Sequence, residues 1–125
     1  MVKFNRQRSA PAMDRTFAAL ADPTRRSILA RLAEPGDADA GVRVTELAAP
    51  FADAMSLPAV SKHLKVLERA GLIRREKDGR VRRCHLEAEP LRDAAQWIAY
   101  FRRFWADRLD ALAEYLEDHE AKKGP

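Results

Sequence analysis

The chain has little cysteine and lacks long apolar segments. Cys84 is its single cysteine, which excludes an intrachain disulfide and a cysteine-cluster zinc or iron–sulfur site within one chain. No apolar run approaches the roughly 20 residues that a membrane-spanning helix needs. The basic leader 1–12 also lacks the hydrophobic segment of a signal peptide. We therefore expect a soluble cytoplasmic protein with no membrane partner.

The length of the chain limits how much architecture it can hold. With 125 residues, 46% of them hydrophobic, it suits one domain with a modest core, and a two-domain enzyme is not expected. Lys and Arg total 23 against 19 Asp and Glu, which gives a net charge of +4. The surface must therefore be rich in charge.

Positive charge is concentrated in residues 56–86, which we call the basic segment. It holds nine Lys/Arg and three acidic residues, whereas the rest of the chain holds fourteen basic and sixteen acidic residues. The net positive charge therefore arises entirely in this segment, as neutralisation of nucleic-acid phosphates requires. Basic residues alone would fit a solvated, charged surface as well as a nucleic-acid-binding surface. The order of helix, glycine stop and hairpin within the segment decides between these two interpretations.

The first half of the basic segment carries both ends of a helix. Ser56 is a favourable N-cap, and Gly71 stands where a helix ending at Ala70 needs a left-handed residue. At about 100° per residue, one face of this helix is apolar: Val60, Leu64 and Leu67. The opposite face is largely cationic: Pro58, Lys62, Lys65 and Arg69. We expect one side to pack and the other to carry charge.

The second half of the basic segment predicts a β-hairpin. Two strand-like runs, 72–77 and 81–86, flank Asp78-Gly79, and Asp-Gly between such runs is a strong hairpin signal. The hairpin tip carries three cations: Lys77, Arg80 and Arg82. A helix, a glycine stop and a basic hairpin in this order favour a DNA-reading helix followed by a wing.

The chain before the basic segment predicts three short helices. Residues 1–12 form a flexible basic arm, a first helix starts at Met13, and a second helix runs from Pro23 to Ala33 behind an Asp22 N-cap. The second helix should bury Ile28, Leu29 and Leu32 and expose Arg25, Arg26 and Arg31. Residues 42–44 form a short strand beside the wing, and a third helix beginning at Thr45 is cut short by Pro50. This third helix and the next one make a helix-turn-helix.

A long final helix is predicted from Pro90 to Glu117. Its apolar positions recur at steps of three and four, and its aromatic residues widen the stripe beyond what a small domain usually covers. A second copy is the natural partner, although these rings would alternatively cap the monomer's own core. The domain prediction is therefore a single domain at 13–120, with a DNA-binding core at 22–88, a dimerisation helix at 90–117 and a tail at 121–125.

Four strings of this sequence together resemble the ArsR-type winged helix-turn-helix repressors. They are FAALADPTRR at 17–26, TELA at 45–48, SLPAVSKHLKVL at 56–67 and AGLI at 70–73. The fold expected is mainly α with a small β-hairpin, a winged helix-turn-helix with a long C-terminal dimerisation helix. The resemblance implies a homodimer that binds an imperfect palindromic operator in double-stranded DNA and releases it on a signal, such as an unidentified small-molecule inducer.

The resemblance also implies roles for individual residues. Base-reading positions are Leu57, Pro58, Ser61 and Lys62; phosphate contacts are Thr45, His63, Lys65, Arg80 and Arg82; Ser56 and Lys77 complete the predicted DNA-binding set. The predicted dimer interface comprises Met13, Phe17, Leu20, Trp97, Phe101, Phe104, Trp105 and Leu112. Leu57 replaces a polar amide that is frequent in the family, and leucine touches a thymine methyl but cannot pair bidentately with adenine. His63 fits a partly buried structural histidine as well as it fits a phosphate contact.

Metal sensing, for which the family is best known, needs paired cysteines that this chain lacks. Soft metals therefore lose their ligands, and we expect no cofactor and no metal. The alternative is an oxygen and nitrogen site formed across two chains from the last helix: Asp107, Asp110, His119 and Glu120. Cys84 is expected to be a small buried residue, with a disulfide between dimers as the alternative.

Two rival functions remain at the level of sequence. A winged-helix module that binds protein instead of DNA should have lost its basic recognition face and wing, and both are present here. A small enzyme should show a nucleophile with its base or a phosphate-binding loop, and no such pattern occurs. We therefore predict that the chain is a DNA-binding regulator and not an enzyme.

Overall fold

The computed structural model describes residues 6–36 and 40–122. Its elements, in chain order, are α1 (Arg6–Leu20), α2 (Pro23–Leu32), β1 (Val42–Arg43), α3 (Val44–Ala48), α4 (Leu57–Arg69), β2 (Ile73–Asp78), β3 (Val81–Leu86), α5 (Glu89–Tyr100) and α6 (Arg102–Lys122). A 3-10 turn, Ala49–Phe51, follows α3, as expected from the proline at position 50. The predicted architecture, mainly α with one basic hairpin, is confirmed.

One core joins the first four helices to the sheet. Each helix from α1 to α4 contributes residues to this buried cluster, and so does each strand. The buried members are Ala19, Ile28, Leu29, Leu32, Val42, Leu47, Val60, Leu64, Leu67, Leu72, Ile73 and Cys84. The predicted apolar faces of α2 and α4 both belong to it. Cys84 lies fully buried, as its sequence context predicted.

The three strands form an antiparallel sheet in the order β1-β3-β2. Val42 pairs with Cys84 and Arg43 with Arg83, so the predicted short strand beside the wing exists. Its predicted third residue, Val44, instead begins α3. In the hairpin, Asp78 pairs with Val81, which leaves Gly79 and Arg80 as a two-residue turn. Gly79 has φ +61°, a conformation that glycine adopts without steric cost.

The N-terminal helix is longer than predicted. The prediction placed a flexible arm at 1–12 and started the helix at Met13, whereas α1 begins at Arg6 and contains Pro11. The prediction relied on apolar periodicity, which is absent before Met13. The helix is instead extended by Arg, Gln and Ala, which have high intrinsic helix propensity. The part of the arm at 1–5 lies outside the described residues.

The C-terminal helix is interrupted, whereas the prediction ran it unbroken from Pro90 to Glu117. α5 ends at Tyr100 and α6 begins at Arg102. Around Phe101 the backbone bonds run between residues three apart, with Phe101 N–H donating to Ile98 O and Phe104 N–H to Phe101 O, both at 3.0 Å. Such tighter bonds belong to a 3-10 turn. The Phe101 ring packs edge-on against Trp97 and Tyr100, at centroid distances of 5.0 and 5.2 Å.

The molecule divides into two compact units, with the boundary between Ala94 and Ala95 inside α5. The single domain expected at 13–120, with its tail at 121–125, stays a prediction. Within the second unit almost every described side chain is exposed, so this unit has no buried core of its own in the single chain. No helix among residues 6–36 and 40–122 combines the length and apolar character needed to cross a bilayer.

Candidate nucleic-acid interface

The structure caps α4 at both ends as its sequence predicts. Ser56 adopts an extended conformation, and its Oγ accepts a hydrogen bond from the Ala59 backbone N–H at 3.3 Å. At the other end, Gly71 has φ +74°. Gly71 N–H donates to Glu68 O and Leu72 N–H to Leu67 O, both at 3.0 Å, which is the bonding pattern of a Schellman motif. The caps fix where α4 starts and where the chain turns into the wing.

The two faces of α4 differ sharply. Its apolar stripe, Val60, Leu64 and Leu67, lies in the core. Leu57, in the first turn of the helix, keeps 54% of its surface exposed. The remaining exposed members of the predicted set on this helix and its cap are Ser56, Pro58, Lys62 and Lys65, and Ser61 is half-buried. The helix thus presents a polar and cationic surface beside one exposed leucine.

The wing adds a second cationic surface to the same compact unit. Lys77, Arg80 and Arg82 are all exposed, and so is Thr45 on α3. Arg74 differs from these, because its Nε lies 3.2 Å from Glu87 Oε1 and its Nη1 lies 3.7 Å from Glu76 Oε2. Among the described residues, eight of the nine cations of the basic segment form no ion pair: Lys62, Lys65, Arg69, Arg75, Lys77, Arg80, Arg82 and Arg83. No described carboxylate therefore neutralises these charges by direct pairing.

His63 has two intramolecular neighbours. Its Nδ1 lies 3.2 Å from Arg25 Nη1 and 3.8 Å from Asp22 Oδ2. Because a guanidinium only donates, Nδ1 is the acceptor in the arginine contact, which places the ring proton on Nε2. These contacts match the structural role that the sequence left open for His63, and its phosphate contact stays a prediction.

Arg25 was predicted to be exposed, and the structure corrects this. Its Nε donates to Ala19 O at 2.7 Å, its Nη2 donates to Ala18 O at 3.1 Å, and its Nη1 meets His63. The side chain therefore joins the last carbonyls of α1, which lack intrahelical donors, to α4. We call this set of contacts the Arg25 bridge.

Asp22 holds the start of α2 next to this bridge. Its Oδ2 accepts from the Arg25 backbone N–H at 3.1 Å, which makes Asp22 the predicted N-cap. This backbone hydrogen bond, aided by the positive charge of Arg25, lowers the pKa of the Asp22 carboxyl. The carboxylate therefore remains ionised at neutral pH.

A second arginine, Arg75, was not among the predicted site residues. It lies on β2 opposite Cys84, and its Nη2 donates to the backbone carbonyl of Ser61 at 3.1 Å. Its Nε is buried and has no hydrogen-bond partner among the described residues. The bond to Ser61 ties the wing directly to α4. Arg75 lies two residues after the buried Ile73, so both side chains lie on the same face of β2, but strand spacing alone does not predict the bond to Ser61.

The predicted dimer residues fall into two groups. In the first unit, Met13, Phe17 and Leu20 are half-buried, and Leu20 packs against the core. In the second unit the predicted residues are 41–61% exposed: Trp97, Phe101, Phe104, Trp105 and Leu112. Tyr100, Leu109, Tyr115 and Leu116 are also exposed, at 52–72%. No three His, Cys, Asp or Glu side chains of the described part of one chain come together as a metal site.

Comparison with known proteins agrees with this geometry. A family model described as a helix-turn-helix domain matches residues 20–76. The transcriptional repressor SdpR of Bacillus subtilis (strain 168) is 35% identical over 89 residues, which are 71% of this chain and 91% of SdpR. The crystal structure of an ArsR family transcriptional regulator is 39% identical, with a TM-score of 0.67 over 85% of this chain and 97% of that one. The chain belongs to the ArsR family.

Membership of the ArsR family fixes the general function. The chain is a DNA-binding transcriptional regulator with a winged helix-turn-helix fold, and its relatives are regulators and not enzymes. A homodimeric winged helix-turn-helix DNA-binding domain from Mycobacterium bovis, Mb0332, shares the fold at 24% identity and a TM-score of 0.54, covering 87% of this chain and 93% of that one. In this family's terms α4 is the recognition helix and the β2–β3 hairpin is the wing.

Proposed function

We propose that this ArsR family protein is a homodimeric repressor that reads an imperfect palindromic operator. Each protomer would insert α4 into a major groove and place its wing along the adjacent phosphates. The observation that carries the proposal is the division of α4 into a core face and an outer face bearing Lys62 and Lys65, with Leu57 exposed in its first turn. The unpaired cations of the wing continue this surface.

The two basic elements are expected to do different work. Ser61 and Lys62 on α4 face base edges, where a good contact contributes about 1–3 kcal/mol of discrimination. Arg80 at the wing tip contacts phosphates, which position the protein without reading sequence. Each lost phosphate contact should lower the slope of log affinity against log salt concentration by about 0.9.

Three variants test this division of work. The operator is first obtained by selecting DNA fragments with the purified protein, and salt titrations then compare operator with scrambled DNA. Lys62→Ala should weaken operator binding much more than scrambled binding, whereas Arg80→Ala should weaken both and flatten the salt slope. Arg92→Ala, which changes an exposed cation on α5, is the control. If Lys62→Ala and Arg80→Ala both match this control, α4 and the wing are not the DNA-reading surface.

The homodimer rests on the exposed apolar residues of the second unit. Trp97, Phe101, Trp105 and Leu112 are each more than 40% exposed, and large exposed apolar side chains clustered along one element are typical of a protein interface. The homodimeric domain of Mb0332 supports the dimer. The repressor SdpR supports the proposed role in repression. In the dimer the two α4 helices would lie about one helical turn of DNA apart, or a small multiple of that distance.

Sedimentation equilibrium at micromolar concentration tests the homodimer. The wild type should sediment as a dimer, and Leu112→Glu, which places a charge on this surface, should shift it toward monomer. Glu114→Gln, on the same helix, should leave the mass unchanged. A wild type that sediments as a stable monomer would rule out the dimer and leave the DNA-reading surface to its own test.

A further inference from the structure

A cleft lies where the base of the wing meets α4. Its volume is about 220 Å³, and one wall is formed by Val44, Ser61 and Leu64 from α3 and α4. The other wall comes from the two strands of the wing: Arg75, Glu76, Lys77, Arg82 and Arg83. Both walls belong to the first compact unit.

The charge of this cleft is strongly positive. Its lining includes three cations on one face of the wing, Arg75, Lys77 and Arg82, and one acid, Glu76, whose cross-strand partner is Arg83. Glu76 is already engaged, since its Oε2 lies 2.7 Å from His85 Nε2 and 3.7 Å from Arg74 Nη1. Successive residues of a strand point to opposite faces, and Arg74 is paired with His85. Arg74 and His85 therefore both lie on the sheet face away from Arg75. The cations of the cleft are therefore not neutralised by its single acid.

Arg75 is the cation best placed to bind a ligand in this cleft. Its Nη2 is held by the Ser61 carbonyl, which fixes the guanidinium plane, and its Nε is buried without an acceptor. A guanidinium fork matches the spacing of oxygens on phosphate or carboxylate groups. An oxyanion in the cleft would pair with the charge of the Arg75 guanidinium and balance the cations around it.

We propose that the cleft is a binding site for a phosphate-like oxyanion, with Arg75 as its central donor and Lys77 and Arg82 at its rim. The oxyanion is supplied either by a phosphate of the DNA backbone or by a free anion. The DNA source rests on the proposed function, whereas the free-anion source does not. Because Arg75 also holds Ser61 on α4, the bound anion lies at the connection between the wing and the recognition helix.

The first experiment measures free-anion binding without DNA. Inorganic phosphate is titrated into the full-length protein at constant ionic strength, with chloride as the reference, and followed by the backbone amide NMR signal of Lys77, which lines the cleft and is present in the wild type and in every variant. For a free-anion site the signal shifts with saturation in the wild type. Arg75→Gln and Arg75→Lys should each bind phosphate at least about tenfold more weakly, because each loses a charge-assisted hydrogen bond. Arg92→Gln is the matched control and should bind as the wild type does.

The second experiment measures binding to operator and to scrambled duplex for the same variants. For a backbone-phosphate site, Arg75→Gln should weaken both duplexes and lower the salt slope by about 0.9 per bound protomer, because it removes the charge. If free phosphate also occupies the cleft, it should compete with DNA in the wild type more than chloride at equal ionic strength does. Arg75→Gln should abolish this extra competition.

The two experiments distinguish a free anion from a DNA phosphate as the ligand, and both from the absence of an anion site. Saturable phosphate binding that depends on Arg75 supports the free-anion source, and an Arg75-dependent salt slope without it supports the DNA source. If Arg75→Gln is folded under the conditions of the assays and matches Arg92→Gln in both experiments, the proposal is overturned. If at the same time Lys62→Ala loses operator binding, the proposed function stands without the anion site.

Discussion

The Arg25 bridge should contribute measurably to stability, and Arg25→Ala tests it. The substitution removes hydrogen bonds from one guanidinium to Ala18 O, Ala19 O and His63 Nδ1. Hydrogen bonds from a charged group contribute about 1.5–3 kcal/mol each when they are protected from water. The Ala18 contact is exposed and the other two are partly buried, so we expect a total loss of about 2–4 kcal/mol.

Arg26→Ala is the matched control for this prediction. Arg26 is the next residue along α2, and its Nη1 makes one exposed bond, to Leu20 O at 2.8 Å. Its removal should cost less than about 1 kcal/mol. Arg25→Lys, which keeps the charge but loses the planar fork, should lie between the two.

Urea unfolding followed by circular dichroism measures these differences as shifts in midpoint at constant m-value. Operator affinity is measured in parallel under native conditions, where Arg25→Ala should bind more weakly than Arg26→Ala because α4 has lost its link to α1. If the two alanine variants unfold within about 0.5 kcal/mol of each other, a difference typical of surface changes, the Arg25 bridge carries no stability and the reasoning is refuted.

Three further results are expected. Leu64→Ala should destabilise the protein by about 2–5 kcal/mol because Leu64 is 1% exposed, whereas Val66→Ala, at 38% exposure on the same helix, should cost under about 1 kcal/mol in the same urea assay. The pKa of Asp22 is lowered in the native state, so its stabilising effect is fully present above the ordinary pKa of the carboxyl and is lost as pH falls through the lowered value. Asp22→Asn keeps the cap but should lack this component of acid unfolding, and an unchanged acid midpoint would contradict the assignment. Burial raises the pKa of the Cys84 thiol, so it should react with a thiol reagent at neutral pH at a rate limited by unfolding; rapid labelling of the native protein would show that β3 is accessible.

Local sequence patterns correctly predicted the helix caps and the hairpin turn, which are formed by residues close together in the sequence. Ser56, Gly71 and Gly79 each act within four residues of their own position, through a cap, a helix stop and a turn, and each was found where predicted. The apolar stripe of α4 follows in the same way from its helical period. Two helix boundaries were wrong. At Arg6 the helix extends beyond the apolar repeat because its residues have high helix propensity. At Phe101 a 3-10 turn interrupts the helix although the apolar repeat continues.

The two arginines that organise the site depend on contacts that no local pattern contains. Arg25 reaches His63 across 38 positions and Arg75 reaches Ser61 across 14, so a helical wheel or a strand alternation sees each of them only as a cation near the surface. Arg25 on α2 bonds the side chain of His63, and Arg75 on β2 donates to the backbone carbonyl of Ser61. Both acceptors belong to α4. The recognition helix is therefore positioned by guanidinium groups on α2 and β2 as well as by its own apolar face. A substitution at either arginine should alter DNA binding even though the sequence-derived contact set contains neither.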